Sequence, residues 1–388
     1  MHFTTLLTLV PLALAAPSRR SSPAPLHVPR STGDNLVEGK YIVKMYDNAV
    51  DDSLHTTMAA EPDHVYNVPG FKGFASALTP EEIETLQSHP DVEFIEQDSI
   101  MSINAYVTQS GSTWGLARVS HHSVSASGYV YDSTAGAGTC AYIVDTGIYT
   151  AHSEFEGRAT WLANYADTSN SDGNGHGTHV AGTVGSKTYG VAKQTQLYAV
   201  KVLNAAGSGT TSGVVAGMNY VTSDVATRSC PNGAVANMSL GGSSSTAINS
   251  AARAMISAGV FLAVAAGNSN TDASTTSPAG EPQVCTVGAT TSADARASFS
   301  NYGSVVDVFA PGQDVLSTWN NGGTNTISGT SMATPHVAGL GAYLLGLEGF
   351  KAPQTLCAYI ASIGTTGALS GVPSGTINSI AFNDNPSG

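Results

Sequence analysis

Residues 174–183 read NGHGTHVAGT, and they form one of three short segments that stand out in a chain of 388 residues. Upstream, residues 141–147 read AYIVDTG, in which an apolar run ends at an aspartate. Downstream, residues 328–335 read SGTSMATP. An acid, an imidazole and a hydroxyl in the chain order Asp, His, Ser match one of the known orders of a nucleophilic triad. The three segments are far apart in sequence, so only folding can bring them together.

The three polar side chains have the chemistry that a serine nucleophile needs. A serine hydroxyl is a weak nucleophile at neutral pH, and it requires a base that is itself held by a third group. Here Ser331 would attack a carbonyl carbon, a histidine of residues 174–183 would take the serine proton, and Asp145 would hold the imidazole in the required tautomer. Asn268 follows the apolar run 261–266, and its side-chain amide could donate to the oxyanion that forms.

Each segment also has a simpler interpretation. An Asp-Thr-Gly turn after a strand occurs in aspartic proteases, but those need two such turns and this chain has one. His176 and His179 could bind a metal from one face of a helix, although no Glu lies between them and no Cys is near. A Gly-Thr-Ser-Met turn by itself would usually be structural. All three segments in the correct order favour the triad over these alternatives.

Together the segments resemble the subtilisin-like serine proteases, and specifically their proteinase K-like branch, over about residues 40–388. The resemblance implies that His176, and not His179, is the catalytic histidine. It also implies an oxyanion site formed by Asn268 and the backbone N–H of Ser331, at a helix start where the dipole favours negative charge. The implied activity is hydrolysis of peptide bonds through an acyl-enzyme, with broad specificity and no cofactor for catalysis.

After residue 105, strand-like apolar runs alternate with helix-like stretches. The predicted strands are 141–145, 197–203, 234–240, 261–266, 284–288 and 305–309, and the predicted helices are 176–185, 212–227, 245–259 and 330–347. This alternation predicts an α/β fold with a doubly wound, mostly parallel sheet and helices on both faces. Asp145 and Asn268 would then lie at the carboxyl ends of strands, where such folds place their sites.

The first residues have the pattern of a secretory signal peptide. An apolar stretch at 6–16 is too short to span a membrane, and it contains an Ala-x-Ala sequence near its end. We assign residues 1–16 to this signal peptide and residues 17–104 to a propeptide. Within the propeptide, residues 18–38 are rich in Ser, Pro and Arg and are expected to be flexible.

The rest of the propeptide, about residues 40–104, is expected to fold as a small α/β domain. Residues 41–45 and 92–96 have the composition of strands. A helix is predicted to begin after Thr79, with Glu82 completing a capping box.

This pattern resembles the inhibitor-type propeptide of subtilases, a ferredoxin-like domain. The resemblance implies that the propeptide inhibits its own enzyme and that its tail, residues 97–104, lies in the cleft like a substrate. The mature peptidase domain would be residues 105–388, a size that one α/β domain with a large core can have.

Four cysteines, an even number, predict two disulfides in a secreted chain, and the residues alone leave three pairings open. The resemblance selects Cys140–Cys230 and Cys285–Cys357. Proteinase K-like enzymes often carry an unpaired cysteine four residues after the catalytic histidine, where this chain has Val180. We therefore expect less sensitivity to thiol-directed mercurials than in those relatives.

Calcium prefers hard oxygen ligands, often a mixture of backbone carbonyls and carboxylates. The resemblance implies one structural Ca²⁺ site, formed by the carbonyls of Pro282 and Val284 and by the carboxylate of Asp307. The alternative is that Asp307 only caps or solvates a turn. A second, weaker site of the family needs an acid where this chain has Ala368, so a single site is expected.

The resemblance also implies that a peptide substrate pairs as a strand between two glycine-rich backbone edges. The predicted edge residues are Gly207, Ser208, Gly209, Ser239, Leu240 and Gly241, and the predicted wall residues of the first specificity pocket are Ala265, Ala266 and Gly267. None of them is charged, which disfavours a requirement for basic substrates. Asn237 begins an N-glycosylation sequon inside an apolar run, so we expect it to be buried and unmodified.

Charge and hydropathy exclude several classes of partner. The net charge is −13, from 15 Lys and Arg against 28 Asp and Glu, and no basic cluster favours nucleic acid. No apolar run outside the N-terminus is long enough for a membrane anchor. We expect a secreted monomer that acts on proteins and peptides. An inactive secreted binding protein is disfavoured by the complete triad, and an esterase by the glycine-rich edges.

Overall fold

The structure is a computed structural model that describes residues 22–28, 36–49, 54–100, 106–349 and 351–388. The assigned signal peptide and the expected cleavage point after residue 104 lie outside these residues. The chain divides into two compact units, Met1–Met101 and Ser102–Gly388.

The N-terminal unit is a five-stranded sheet packed against a helix. Its elements are strands β1 (Leu26–His27), β2 (Leu36–Met45), β3 (His64–Val68), β4 (Phe71–Ala77) and β5 (Val92–Ser99), a 3-10 helix (Leu54–Thr57) and helix α1 (Pro80–Gln87). The strand order is β1-β5-β2-β4-β3, and only the β1–β5 pair is parallel. Phe74, Leu86 and Ile95 are buried between the helix and the sheet, so this unit has a core of its own.

The expected flexibility of residues 18–38 is wrong for the part of this segment that the structure describes. Ala24 is only 1% exposed, β1 pairs with β5, and Ile95 donates its N–H to the Pro25 carbonyl at 2.9 Å. Composition misleads here because Pro25 directly precedes this edge strand, where a missing N–H is tolerated, and its carbonyl still accepts a hydrogen bond from β5. The strand β2 likewise begins at Leu36, earlier than expected.

The predicted helix start is present. The Thr79 side chain accepts the N–H of Glu82, and the Glu82 carboxylate accepts the N–H of Thr79, which together form the capping box. At the other end of the unit, β5 extends to Ser99. The first residues of the tail expected over 97–104 therefore belong to the sheet, while residues 101–104 lie outside the described chain.

The C-terminal unit is built around a nine-stranded sheet. In sheet order its strands are β19 (Thr365–Thr366), β20 (Ser379–Ile380), β16 (Val308–Pro311), β15 (Cys285–Thr290), β13 (Val260–Ala265), β11 (Ala234–Met238), β8 (Cys140–Asp145), β10 (Gln196–Lys201) and β9 (Ala159–Asn164). Every neighbouring pair is parallel except β19–β20. Three two-stranded ribbons complete the strands of the described residues: β6 (Tyr106–Gln109) with β7 (Tyr129–Asp132), β12 (Gly242–Ser243) with β14 (Thr276–Ser277), and β17 (Val315–Thr318) with β18 (Thr324–Ile327).

Helices cover both faces of the large sheet. They are α2 (Trp114–Val119), α3 (His176–Gly185), α4 (Thr211–Val225), α5 (Thr246–Ser257), α6 (Thr330–Glu348) and α7 (Pro353–Ile363), with 3-10 helices at Ser153–Phe155 and Ala273–Thr275. Val180 of α3 and Leu340 of α6 belong to one buried apolar cluster. Met218 of α4 and Met255 of α5 belong to another. The predicted doubly wound, mostly parallel α/β fold is confirmed.

The order of the strands places a crevice beside β8. From β8 the chain builds β9 and β10 on one side, and it then crosses to build β11, β13 and β15 on the other. Loops that leave neighbouring strands in opposite directions open a crevice at the carboxyl ends of those strands. Within the described residues, no helix combines the length and the apolar character that a membrane span requires.

Candidate active site

The first site residue, Asp145, ends the central strand β8. The strand is apolar and buried along its whole length, and the carboxylate itself is fully buried. The chain then turns at Gly147 with φ of 106°, and a Cβ on this residue would come within 2.7 Å of the Trp161 ring. A buried strand followed by a glycine turn thus places the Asp145 carboxylate at the crevice.

His176 opens helix α3 directly opposite that carboxylate. Its Nδ1 lies 2.7 Å from Asp145 Oδ1, and the same oxygen accepts the N–H of Thr146 at 2.7 Å. A carboxylate can only accept, so Nδ1 carries the proton and Nε2 is left as the basic nitrogen. The Asn174 side chain accepts the backbone N–H of His176 at 3.2 Å, which helps to fix the start of the helix.

Two opposing effects act on the pKa of His176. Burial lowers it, but the charge and hydrogen bond of Asp145, together with the charge of Asp172, raise it more, so the pKa lies above its ordinary value. Only the neutral imidazole can accept a proton from a serine. A rate that depends on this base must therefore rise as pH increases through the raised pKa.

Ser331 is the second residue of α6, and a proline fixes its surroundings. Pro335 lies four residues later inside the helix and has no N–H, so it cannot donate to the Ser331 carbonyl. Instead, Ser239 Oγ donates to that carbonyl at 2.8 Å. In return, Ser331 Oγ donates to the Ser239 carbonyl at 3.2 Å. The nucleophile is thereby tied to the segment that follows β11.

The triad is not fully connected in this structure. Between the described residues Ser331 and His176 there is no hydrogen bond, because the serine hydroxyl is turned toward the Ser239 carbonyl. Catalytic hydrogen bonds are often long or badly aligned before a substrate binds. Proton transfer to His176 requires the hydroxyl to turn away from Ser239.

Asn268, just after β13, is held so that its amide nitrogen remains available. Its Oδ1 accepts the backbone N–H of Thr330 at 2.7 Å and the Thr330 hydroxyl at 2.9 Å. The buried Asn301 holds the loop that follows Asn268, because the Asn301 side-chain oxygen accepts the N–H groups of Ser269 and Thr271 at 3.0 Å each. The bonds to the Asn268 oxygen orient the amide and leave its donor, the Nδ2 group, available to a ligand.

Gly329 marks the space between the two predicted oxyanion donors. A Cβ built on this residue would lie 3.5 Å from Asn268 Nδ2 and 3.6 Å from the Ser331 N. A point near both donors is where an oxyanion would accept two hydrogen bonds. Glycine at this position keeps that space open.

Two cavities share the segment Leu240–Gly242. The first, of about 450 Å³, is lined by Thr146, Asn174, His176, Leu203, Gly207, Ser208, Gly209, Thr211, Val214, Ser239, Ile248 and the shared segment. The second, of about 320 Å³, is lined by Ala265, Gly267, Asn268, Ser269, Thr276, Asn301, Thr330, Ser331 and the shared segment. His176 is the one ionisable side chain in the two linings.

Most of the predicted groove residues line these cavities, with one correction. The prediction that Ala266 walls the pocket is wrong, because its side chain is completely buried in the core. The Ala266 side chain lies with Leu262 and Val264 in the core, whereas Ala265 and Gly267 line the second cavity. Ser269 and Thr276 line that cavity too, and no motif in the sequence pointed to them.

Comparisons with known proteins agree with this geometry. The profile of the subtilase family matches residues 136–369, and the profile of peptidase inhibitor I9 matches residues 40–104. The chain belongs to the subtilase family. Its relatives identify this subtilase as a serine protease of the proteinase K-like branch.

Several relatives match this subtilase over nearly its whole length. It is 58% identical to subtilisin-like serine protease AsES of Sarocladium strictum, with 100% of both chains covered. It is 55% identical to a cuticle-degrading protease of Metarhizium anisopliae, with 99% of this chain and 100% of that one covered. A solved structure, of a cold-adapted subtilisin-like serine proteinase, is 45% identical with a TM-score of 0.68, and covers 71% of this chain and 100% of its own.

The four cysteines of the subtilase form two disulfides. Cys140 at the start of β8 pairs with Cys230, and Cys285 at the start of β15 pairs with Cys357 of α7. They span 90 and 72 residues, and loops of that size are worth about 4 kcal/mol each in the chain-entropy model. Val180 is buried in the apolar core, and the described chain has no free cysteine.

The second histidine of the motif has a structural role. His179 is fully buried, and its Nε2 lies 3.0 Å from the Val315 carbonyl and 3.2 Å from the Asn325 carbonyl. Burial lowers its pKa to about 4, so it is neutral at working pH. Neither it nor His176 belongs to a cluster of metal-ligating side chains within the described residues.

Asp307, the side chain among the candidate calcium ligands, lies next to the second disulfide. Asp307 Oδ2 accepts the N–H of Thr286 at 2.7 Å, and burial raises the pKa of Asp307 to about 6. The carboxylate is close to the sulfurs of Cys285 and Cys357, but a disulfide offers no thiolate. A half-buried carboxylate is a hard oxygen donor, which suits Ca²⁺ rather than a soft metal.

Proposed function

We propose that this subtilase is secreted and cleaves proteins internally, with a broad preference for large apolar and aromatic residues on the acyl side of the scissile bond. This proposal rests mainly on the second cavity, which has small uncharged walls at Ala265 and Gly267 and is bordered by Ser331 and Asn268. An apolar side chain held there would leave its carbonyl carbon beside the serine. The first cavity would take residues further from the cleavage point.

The chemistry follows from the side chains. Ser331 attacks the carbonyl carbon while His176 Nε2 takes the serine proton, and Asp145 stabilises the imidazolium across the 2.7 Å contact. The oxyanion accepts hydrogen bonds from Asn268 Nδ2 and the Ser331 N–H. His176 then gives its proton to the leaving amine, and an acyl-enzyme remains. Water, activated by the same imidazole, releases the acid and restores the serine.

The specificity proposal can be tested by adding a charge to the cavity. Thr276 lines the second cavity and is partly buried, so Thr276→Asp should favour Lys and Arg at the position before the cut by about tenfold, through attraction across a few ångströms. Cleavage profiling on a peptide library measures this, with Ser125→Asp on an exposed loop as the control. A wild-type enzyme that strictly requires Lys or Arg would refute the pocket assignment.

The N-terminal region would control when the enzyme becomes active. We infer that residues 1–16 direct secretion, that the I9 segment inhibits the peptidase, and that cleavage after residue 104 frees the domain 105–388. The match of the I9 profile to residues 40–104 supports an inhibitory propeptide. We expect the mature enzyme to act as a monomer on protein and peptide substrates. An inactive binding protein or an esterase is not favoured.

One structural Ca²⁺, held by Asp307 and the carbonyls of Pro282 and Val284, would stabilise the mature enzyme. A ligand that binds only the native state adds about 2.7 kcal/mol at a hundred times its dissociation constant. Chelation should therefore lower the temperature of inactivation, and Asp307→Asn should remove most of that calcium dependence. Initial rates at low temperature should change much less.

Calorimetric titration of Ca²⁺ into chelator-treated enzyme separates this assignment from its alternatives. One site that Asp307→Asn weakens is expected. Ala368 is packed against the apolar core where the family's weaker site needs an acid, so a second site of similar affinity would show that the ligands are assigned wrongly. An unaltered titration in Asp307→Asn would do the same.

A further inference from the structure

Asp172 is a buried carboxylate close to the triad that the reaction above does not use. It is 7% exposed, and five donors surround it. Its Oδ1 accepts the Thr146 hydroxyl at 2.8 Å and the N–H groups of Asn174 and Gly175 at 3.1 and 2.8 Å. Its Oδ2 accepts the N–H and the hydroxyl of Thr178 at 2.9 and 2.6 Å.

These hydrogen bonds join the two segments that carry the acid and the base. Thr146 follows Asp145 directly, and its hydroxyl accepts the N–H of Gly177 at 2.8 Å while donating to Asp172. Gly177 follows His176. The Asp172 carboxylate and the Thr146 hydroxyl thus connect the turn after β8 to the first turn of α3. They do so at the N-terminus of the helix, where free N–H groups favour a negative charge.

The charge of Asp172 also acts on the imidazole. Within the described part of the chain, the charged groups that act on His176 are Asp145 from β8 and Asp172 from the loop before α3, and both raise its pKa. His179, one turn along α3, is neutral at working pH because burial lowers its pKa to about 4. Lys201 of β10 donates to the Ser171 carbonyl at 2.9 Å, and its charge is paired with Asp167 at 3.1 Å.

We propose that Asp172 is a positioning residue of the catalytic centre, which fixes the helix start bearing His176 to the turn bearing Asp145 and favours the imidazolium that forms during acylation. It touches neither substrate nor the reacting atoms, and it acts through Thr146, the α3 N-terminus and its charge. The proposal rests on the peptidase mechanism proposed above.

The pH dependence of kcat/KM on a chromogenic peptide tests the role of the charge. Asp172→Asn keeps the shape but removes the charge and turns one acceptor into a donor toward Thr146 or Thr178. We expect kcat/KM at its plateau to fall about tenfold or more, and the acid limb to move about 0.5 pH unit lower, since that limb reports the base in the free enzyme. Asp384→Asn, which neutralises an exposed carboxylate bonded to Tyr359, should move neither.

A pair of Thr146 variants tests the hydrogen-bond link without removing the charge. Thr146→Val should lower kcat about tenfold while leaving the acid limb nearly in place, and Thr146→Ser, which keeps the hydroxyl, should restore the rate. This pair also decides the matter if Asp172→Asn does not mature.

Three results would overturn the proposal. They are an Asp172→Asn enzyme whose acid limb stays at the wild-type pH, a Thr146→Val enzyme with the wild-type rate, and a Thr146→Ser enzyme as slow as Thr146→Val. A wild-type enzyme that does not hydrolyse the peptide would instead refute the proposed function.

Discussion

Ser331→Ala is expected to lower kcat for peptide hydrolysis by about a million-fold, because losing the nucleophile of a triad costs about as much as losing all three members. The same variant should remain a full-length precursor, since release of the domain 105–388 would need its own activity. Among the residues that the structure describes, the hydroxyl bonds only to the Ser239 carbonyl, so the fold should survive. Residual hydrolysis and the mass of the secreted protein measure both effects.

Ser328→Ala is the matched control for this variant. Ser328 lies three residues earlier in the same segment, is exposed, and bonds to Asp314, so its loss should leave both rate and processing intact. Added active enzyme should process the Ser331→Ala precursor in trans. A Ser331→Ala protein that appears fully cleaved before Ala105, in a host without other proteases, would contradict self-processing.

Asn268→Ala is expected to lower kcat by about 100- to 1000-fold with little change in KM, because the missing amide donates to the oxyanion and not to the ground-state peptide. Thr330 holds the amide by its oxygen at 2.7 and 2.9 Å, so the donor is already oriented before the reaction. Preorganisation of this kind makes a single hydrogen bond worth several kcal/mol in the transition state.

Inhibitors separate this role from a general loss of structure. A peptide aldehyde, which forms a tetrahedral adduct with the serine, should bind Asn268→Ala much more weakly, whereas a product peptide should bind it almost as well as wild type. Asn219→Ala, at an exposed position of α4, should change neither. Equal loss of affinity for both inhibitors would place the defect in the groove and not in the oxyanion site.

The fold could be predicted largely because its strands are buried apolar runs with helices between them. The predicted helix 176–185 coincides with α3, and the strand predicted at 141–145 differs from β8 by one residue. The strand predicted at 305–309 lies instead at 308–311, since pairing with β15, not local composition, sets its bounds. The edge strand β9 and the helix α7 were not predicted.

The candidate site was predictable only where a short motif carries the chemistry. Asp145, His176 and Ser331 each lie in such a motif, and the first two meet at 2.7 Å. Thr276 and Asn301 have no such signal, because each reaches the site through a contact between segments distant in the chain. Their roles depend on the tertiary fold, which local sequence does not encode.

Ala266 shows a different kind of failure. Small size alone groups it with its neighbours Ala265 and Gly267, but an extended chain alternates its side chains between two faces. The run 261–266 is apolar throughout and its strand is buried on both faces, so the sequence does not show which face Ala266 takes, and the structure places it in the core.

The short strand β1 changes where the inhibitor domain begins. The I9 profile starts at residue 40, yet the sheet takes a parallel edge strand from Leu26–His27 and its core takes Ala24. A polypeptide that starts at residue 40 would leave β5 as an open edge, and unpaired edges act as templates for association between chains. A propeptide supplied in trans should therefore start before Ala24. In a shorter propeptide, the measured inhibition constant would reflect self-association of the propeptide as well as its binding to the enzyme.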